Sequence, residues 1–170
     1  MMKKTLMKAV AILILLPVVT GISSCSKGPK DWYNATLEYY TEGFSSGWAN
    51  EEDDMSISDE MKDPGNTFGY LLTDLNGDGI DELLIGLVEE SGFTKFTDII
   101  IWHTDLGAYR VISCGNGDYC YLCNDNVIMQ DSWPGTENTT DYMRFDNNVF
   151  TILDEGQYYP KHVELTVFGS

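Results

Sequence analysis

From Phe68 to Phe168 the chain is built of short runs in which apolar residues return at every second position. Turn-forming residues interrupt these runs about every ten residues. The runs are Phe68 to Leu72, Leu83 to Val88, Phe96 to His103, Tyr109 to Cys114, Asp118 to Cys123, Asn126 to Gln130, Asp141 to Phe145, Val149 to Leu153 and His162 to Phe168. The breaks carry turn chemistry: Asp105-Leu106-Gly107, Asn116-Gly117, Asn124-Asp125-Asn126, Asp146-Asn147-Asn148 and Glu155-Gly156. Short turns join strands that run antiparallel, so this stretch reads as a meander. No internal repeat of about 20–50 residues stands out, which argues against a solenoid or a full propeller. Upstream, Tyr33, Leu37, Tyr40 and Phe44 recur at helical spacing and predict a helix over Asp31 to Phe44, with Asp31 as its N-cap or first-turn acid. Between them, Ser45 to Gly65 is polar, carries the acidic run Glu51-Glu52-Asp53-Asp54 and reads as a solvated loop, with Asp59 to Lys62 adding a helical turn. The expected fold is mainly β, of the α+β kind: an N-terminal helix packed on a curved antiparallel β-meander.

The N-terminus reads differently. Lys3, Lys4 and Lys8 precede an unbroken apolar run from Ala9 to Val19, and small residues follow before Cys25. That order is a secretory signal. The run is shorter than the roughly 20 residues a spanning helix needs. Ile22-Ser23-Ser24-Cys25 resembles the lipobox of bacterial lipoproteins. The resemblance implies cleavage after Ser24 and a diacylglyceryl group on Cys25, which becomes the mature N-terminus. The expected organisation is a signal peptide over 1–24, a lipid-anchored tether over 25–30 and a single domain over 31–170. Removing three lysines from ten basic residues leaves seven against 27 acids, a mature net charge of −20. Such acidity argues against nucleic acid as a partner and suits cation binding.

Three cysteines remain: Cys114, Cys120 and Cys123. Outside the cytoplasm disulfides are permitted, and one pair plus one free thiol is the simplest arithmetic. Cys120 and Cys123 point to opposite faces if the stretch is a strand. A cross-strand pair of Cys114 with Cys120 around the Gly115-Asn116-Gly117-Asp118 turn is geometrically easier. A zinc site lacks a fourth ligand, since His103 and His162 have no ligand spacing.

The stretch Asp74-Leu75-Asn76-Gly77-Asp78-Gly79-Ile80-Asp81-Glu82 carries the most chemistry. Calcium takes about six to eight oxygen ligands, and alternate residues of a tight loop can aim side-chain oxygens inward. Asp74, Asn76 and Asp78 stand at alternate positions, Gly79 permits the sharp turn, Ile80 offers its carbonyl and Glu82 closes the set. An EF-hand loop ends on a glutamate at position twelve, where this chain has Ile85, and helices flank it where strands flank this loop. The nine-residue pattern resembles the calcium hairpins of FG-GAP repeats in integrin-like propellers. The resemblance covers this one loop, and it implies Asp74, Asn76, Asp78, Ile80 and Glu82 as calcium ligands without the propeller fold. An extracellular site of this kind binds with a Kd on the order of 10⁻⁴–10⁻³ M and acts as a structural staple. Bacterial lipoproteins with one such loop ahead of a β-rich region look similar to the whole chain.

No catalytic constellation stands out. Neither His103 nor His162 has a nucleophile in recognisable motif context, and no phosphate loop or dinucleotide fingerprint is present. Trp102, Tyr119, Tyr121, Trp133, Tyr158 and Tyr159 would make a stacking surface for sugars or a protein if they shared an exposed face, with Trp133 the most exposed. The sequence therefore reads as a membrane-anchored, extracytoplasmic, non-enzymatic module that binds a protein or glycan. Its alternatives are a hydrolase of extracellular polymer using unidentified acids, and a purely structural envelope component.

Overall fold

The computed structural model describes residues 28–49, 57–89, 92–115, 117–132, 139–154 and 156–169. Cys25, the signal segment, the acidic run Glu51 to Asp54 and the loop around Trp133 lie outside the described residues.

Helix α1 spans Pro29–Ser46. It begins two residues earlier than its stripe alone predicts, inside the stretch read as tether. Pro29 explains this, because the first turn needs no N–H from it and its fixed φ suits a helix start. Gly28 is the N-cap, and Asp31 serves as the first-turn acid. Gly47 then stops the helix in the left-handed conformation. Tyr33 and Tyr40 are buried, and Leu37 and Phe44 pack beside them. A single helical turn, α2 (Asp59–Lys62), follows, with the Ser58 hydroxyl accepting the Met61 N–H.

The strands are β1 (Phe68–Thr73), β2 (Glu82–Leu87), β3 (Lys95–His103), β4 (Gly107–Ser113), β5 (Tyr119–Leu122), β6 (Val127–Ser132), β7 (Thr139–Asp146), β8 (Val149–Ile152) and β9 (Thr166–Val167). They form one sheet in the order β8-β7-β6-β5-β3-β2-β1-β9, with β4 also on β3. All the pairings are antiparallel. The expected helix on a curved antiparallel meander is what the chain adopts.

Both faces of the sheet centre are covered. Leu83, Ile85 and Ile100 face α1, within an aromatic cluster that includes Tyr33, Tyr40 and Trp48. Leu84, Ile99 and Ile101 face the other way, against Cys120, Leu122, Ile128, Met143 and Phe145 from the later strands. Each residue of β2 is therefore buried, and its sequence ELLIGL is continuously apolar after the first position. Tyr40 ties the helix to the sheet: its hydroxyl donates to Asp98 Oδ2 at 2.7 Å, and Arg110 Nη1 donates to Asp98 Oδ1 at 3.3 Å.

The run from His162 to Phe168 shrinks to the two residues of β9, which pair with Gly69 and Tyr70. The segment before it crosses from one partner to another. Lys161 N–H donates to the Leu122 carbonyl at 2.8 Å, and Val163 N–H donates to Thr94 Oγ1 at 2.9 Å. The alternation is there, but the segment takes its partners one at a time, so only two of its residues form strand pairs.

Candidate metal loop

β1 and β2 pair from Phe68 with Leu87 to Thr73 with Glu82, so residues 74–81 form the hairpin connection. The predicted strand-loop-strand setting holds. The loop's shape follows from its residue types. Gly77 and Gly79 have φ of +80° and +84°, a region that L side chains avoid. No atom would obstruct a Cβ at either position, so backbone conformation and not crowding calls for glycine.

Asp74 organises the turn. Its Oδ1 accepts Gly77 N–H at 2.7 Å, and its Oδ2 accepts Gly79 N–H at 2.9 Å. These amides, that of Gly79 foremost, hold the Asp74 carboxyl below the usual carboxylate range. Asn76 Oδ1 accepts Asp78 N–H at 3.0 Å, and Asp78 Oδ1 accepts Ile80 N–H at 2.7 Å. Asn76 Nδ2 also donates to Asp78 Oδ2 at 3.1 Å. The structure thus brings Asp74, Asn76 and Asp78 together in one turn.

Glu82 sits apart in character. It is the first residue of β2 and 3 % exposed, and its Oε2 accepts Leu75 N–H at 2.7 Å. Burial lifts its carboxyl to about 7, and the negative charges of Asp78 and Asp74 push the same way. Ile80 lies between the turn and this buried acid and is partly exposed.

The five residues supply hard oxygen donors only: three carboxylates, one amide and a backbone carbonyl. That set suits calcium better than a soft metal. Among the described residues, no three His, Cys, Asp or Glu side chains converge on one point as they stand. The geometry gives the reason. Both oxygens of Asp74 are engaged with loop amides, and the Asn76 amide group is turned onto Asp78.

Two further residues hold the loop and a third lies within its electrostatic reach, none of them among the predicted ligands. Leu75 is buried in the core between two polar neighbours and anchors the loop to the sheet. Asn126 Nδ2 donates to the Asp74 carbonyl at 3.0 Å, from a turn 52 residues away. Tyr33 of α1 is buried, its hydroxyl has no hydrogen-bond partner of ordinary geometry, and its pKa is raised by burial and then by Glu82. An apolar residue inside an acidic loop was a legible signal for Leu75. The sequence marks Asn126 as a turn residue and Tyr33 as part of the helical stripe, but nothing local ties either to the loop.

The aromatics considered as a stacking face are divided. Trp102 and Tyr119 pack against the α1-side cluster, Tyr158 stands 5.3 Å from Tyr142 between ring centres, and Tyr159 is exposed. A surface hollow of about 430 Å³ runs along one side of α1, lined by Asn34, Leu37, Glu38, Thr41 and Glu42. Among the described residues no helix is long and apolar enough to cross a membrane. No family model, curated protein or solved structure matches the chain.

Proposed function

We propose that this chain is an extracytoplasmic lipoprotein, anchored through Cys25, whose β-rich domain carries a structural calcium site and binds a protein or glycan without catalysis. The supporting observation is Glu82. A buried carboxylate held by the amides of Leu75 and of Glu82 itself, beside Asp74 and Asp78, has no counter-charge among the described residues. A divalent cation would supply it, held by Asp74, Asn76, Asp78, the Ile80 carbonyl and Glu82. Bound calcium would lock the turn between β1 and β2 and leave the rest of the surface to the partner.

The test is thermal unfolding in chelator and in a calcium series. With a Kd near 10⁻⁴ M, a hundredfold excess of calcium adds about 2.7 kcal/mol. That raises the melting temperature by on the order of 5–10 °C. Asp78→Ala, which removes one ligand and no packing, abolishes the rise. A melting temperature indifferent to calcium in the unmutated protein would sink the metal reading. For the anchor, Cys25→Ser moves the chain from the membrane fraction to the soluble fraction of a bacterial expression host. Unchanged partition of this variant would exclude lipid on Cys25.

A further inference from the structure

β2 occupies one edge of β3, pairing with Phe96 through Ile100. β4 and β5 must then share the other edge: β4 pairs with residues from Asp98 to His103, and β5 with Lys95 and Phe96. They lie end to end along β3, not against each other as an ordinary hairpin. Between them the chain makes a short excursion, closed by Asp118 N–H donating to the Gly115 carbonyl at 3.1 Å. Cys114 N–H bonds the Thr97 carbonyl and Cys120 pairs with Phe96, so the two cysteines stand at the foot of this excursion.

Their side chains turn into the same core cluster. Cys114 is 6 % exposed and Cys120 is fully buried, and their sulfurs are 3.0 Å apart. That is closer than two packed sulfurs rest, and a small side-chain rotation covers the remaining distance to a bond of about 2.05 Å. Cys123 has the opposite strand parity to Cys120 and belongs to neither core cluster.

We propose that Cys114 and Cys120 form a disulfide that staples the foot of the excursion, with Cys123 left as a free thiol. The oxidant is an accepting disulfide, either oxidised glutathione or a protein disulfide. One cysteine thiolate attacks it to give a mixed disulfide and release one thiol. The second cysteine then displaces the other, so one S–S bond forms, the acceptor's S–S bond breaks, and two protons and two electrons pass to it. The contact with Cys114, and then burial, hold the Cys120 thiol well above its ordinary range. Thiolate is therefore scarce in the folded chain, and the bond forms during folding. This inference is independent of the calcium reading.

The experiment refolds the full chain from reducing denaturant in a glutathione redox buffer, traps remaining thiols with N-ethylmaleimide under denaturing conditions, and maps the peptides. The expected result is a linked Cys114–Cys120 pair and an alkylated Cys123. Reducing this product lowers its melting temperature by roughly 5–10 °C. Cys123→Ser keeps that response and Cys114→Ser loses it. Recovery of Cys114, Cys120 and Cys123 all alkylated, or a link that includes Cys123, overturns the proposal. Peptide mapping gives this answer even where a cysteine variant fails to fold.

Discussion

Asp98 and Glu82 are both carboxylates buried in the sheet, at 0 % and 3 % exposure, and they are served very differently. Asp98 accepts from Tyr40 on one oxygen and from the Arg110 guanidinium on the other, and Ser113 adds a third bond. Burial still lifts Asp98 above its ordinary range, with Arg110, Tyr40 and Ser113 pulling against it. Glu82 has the amides of Leu75 and of its own residue, and its charged neighbours, Asp78 and Asp74, are acids. Taking a charge out of water is costly unless a counter-charge and hydrogen bonds replace the lost hydration. Asp98 has its replacements within the chain, so it is a structural link between α1 and the sheet. Among the described residues Glu82 has no such counter-charge, and this contrast with Asp98 is why we propose Glu82 as a ligand for an external cation.

The comparison breaks most severely if Asp98 loses its partner. Arg110→Met keeps much of the buried volume but strands a buried charge, and is expected to cost about 3–5 kcal/mol. A urea unfolding midpoint equal to that of the unmutated protein would show that Arg110 does not compensate Asp98.

Glu82 gives a smaller effect of opposite sign. In chelator, the folded chain holds a proton on Glu82 between about pH 4.5 and 7 that the unfolded chain has released. Stability therefore falls as pH rises through that window and levels off above it. Glu82→Gln removes the buried charge and keeps the shape. It is expected to stabilise the calcium-free protein at pH 8 by about 2–3 kcal/mol and to flatten this part of the pH profile. The same variant loses the calcium response. A calcium-free profile unchanged by Glu82→Gln would mean that Glu82 is satisfied in the apo protein, and the contrast with Asp98 would disappear.

The two carboxylates also differ in how visible they were. Glu82 belongs to a spaced pattern of oxygen-bearing residues and glycines, and such local patterns survive in sequence because neighbouring residues supply most of the geometry. Asp98 lies in the apolar run KFTDIIIWH, where strand alternation alone gives no reason to bury an acid. Its partners come from positions 40 and 110; the helical stripe marks Tyr40 as inward-facing, but nothing local ties either residue to Asp98. The C-terminal run shows the same boundary. Its alternation is real, but whether it becomes a strand depends on which distant residues it meets: it bonds Leu122 and Thr94 before pairing with Gly69 and Tyr70.

The sequence by itself determined the helix, the succession of strands up to β8, the hairpin setting of Asp74 to Glu82 and the sharp turn at Gly79. Each of these is a short-range property, set by periodicity or by φ. The turn between Cys114 and Cys120 already favoured that pair in the sequence; only the tertiary structure decided that β4 and β5 lie end to end on β3 rather than as a hairpin. It alone placed Tyr33 and Asn126 beside the loop and set Asp98 against Arg110. Those arrangements depend on which strand edges meet and which side chains share a core, and the competition among distant segments for the same buried space fixes both.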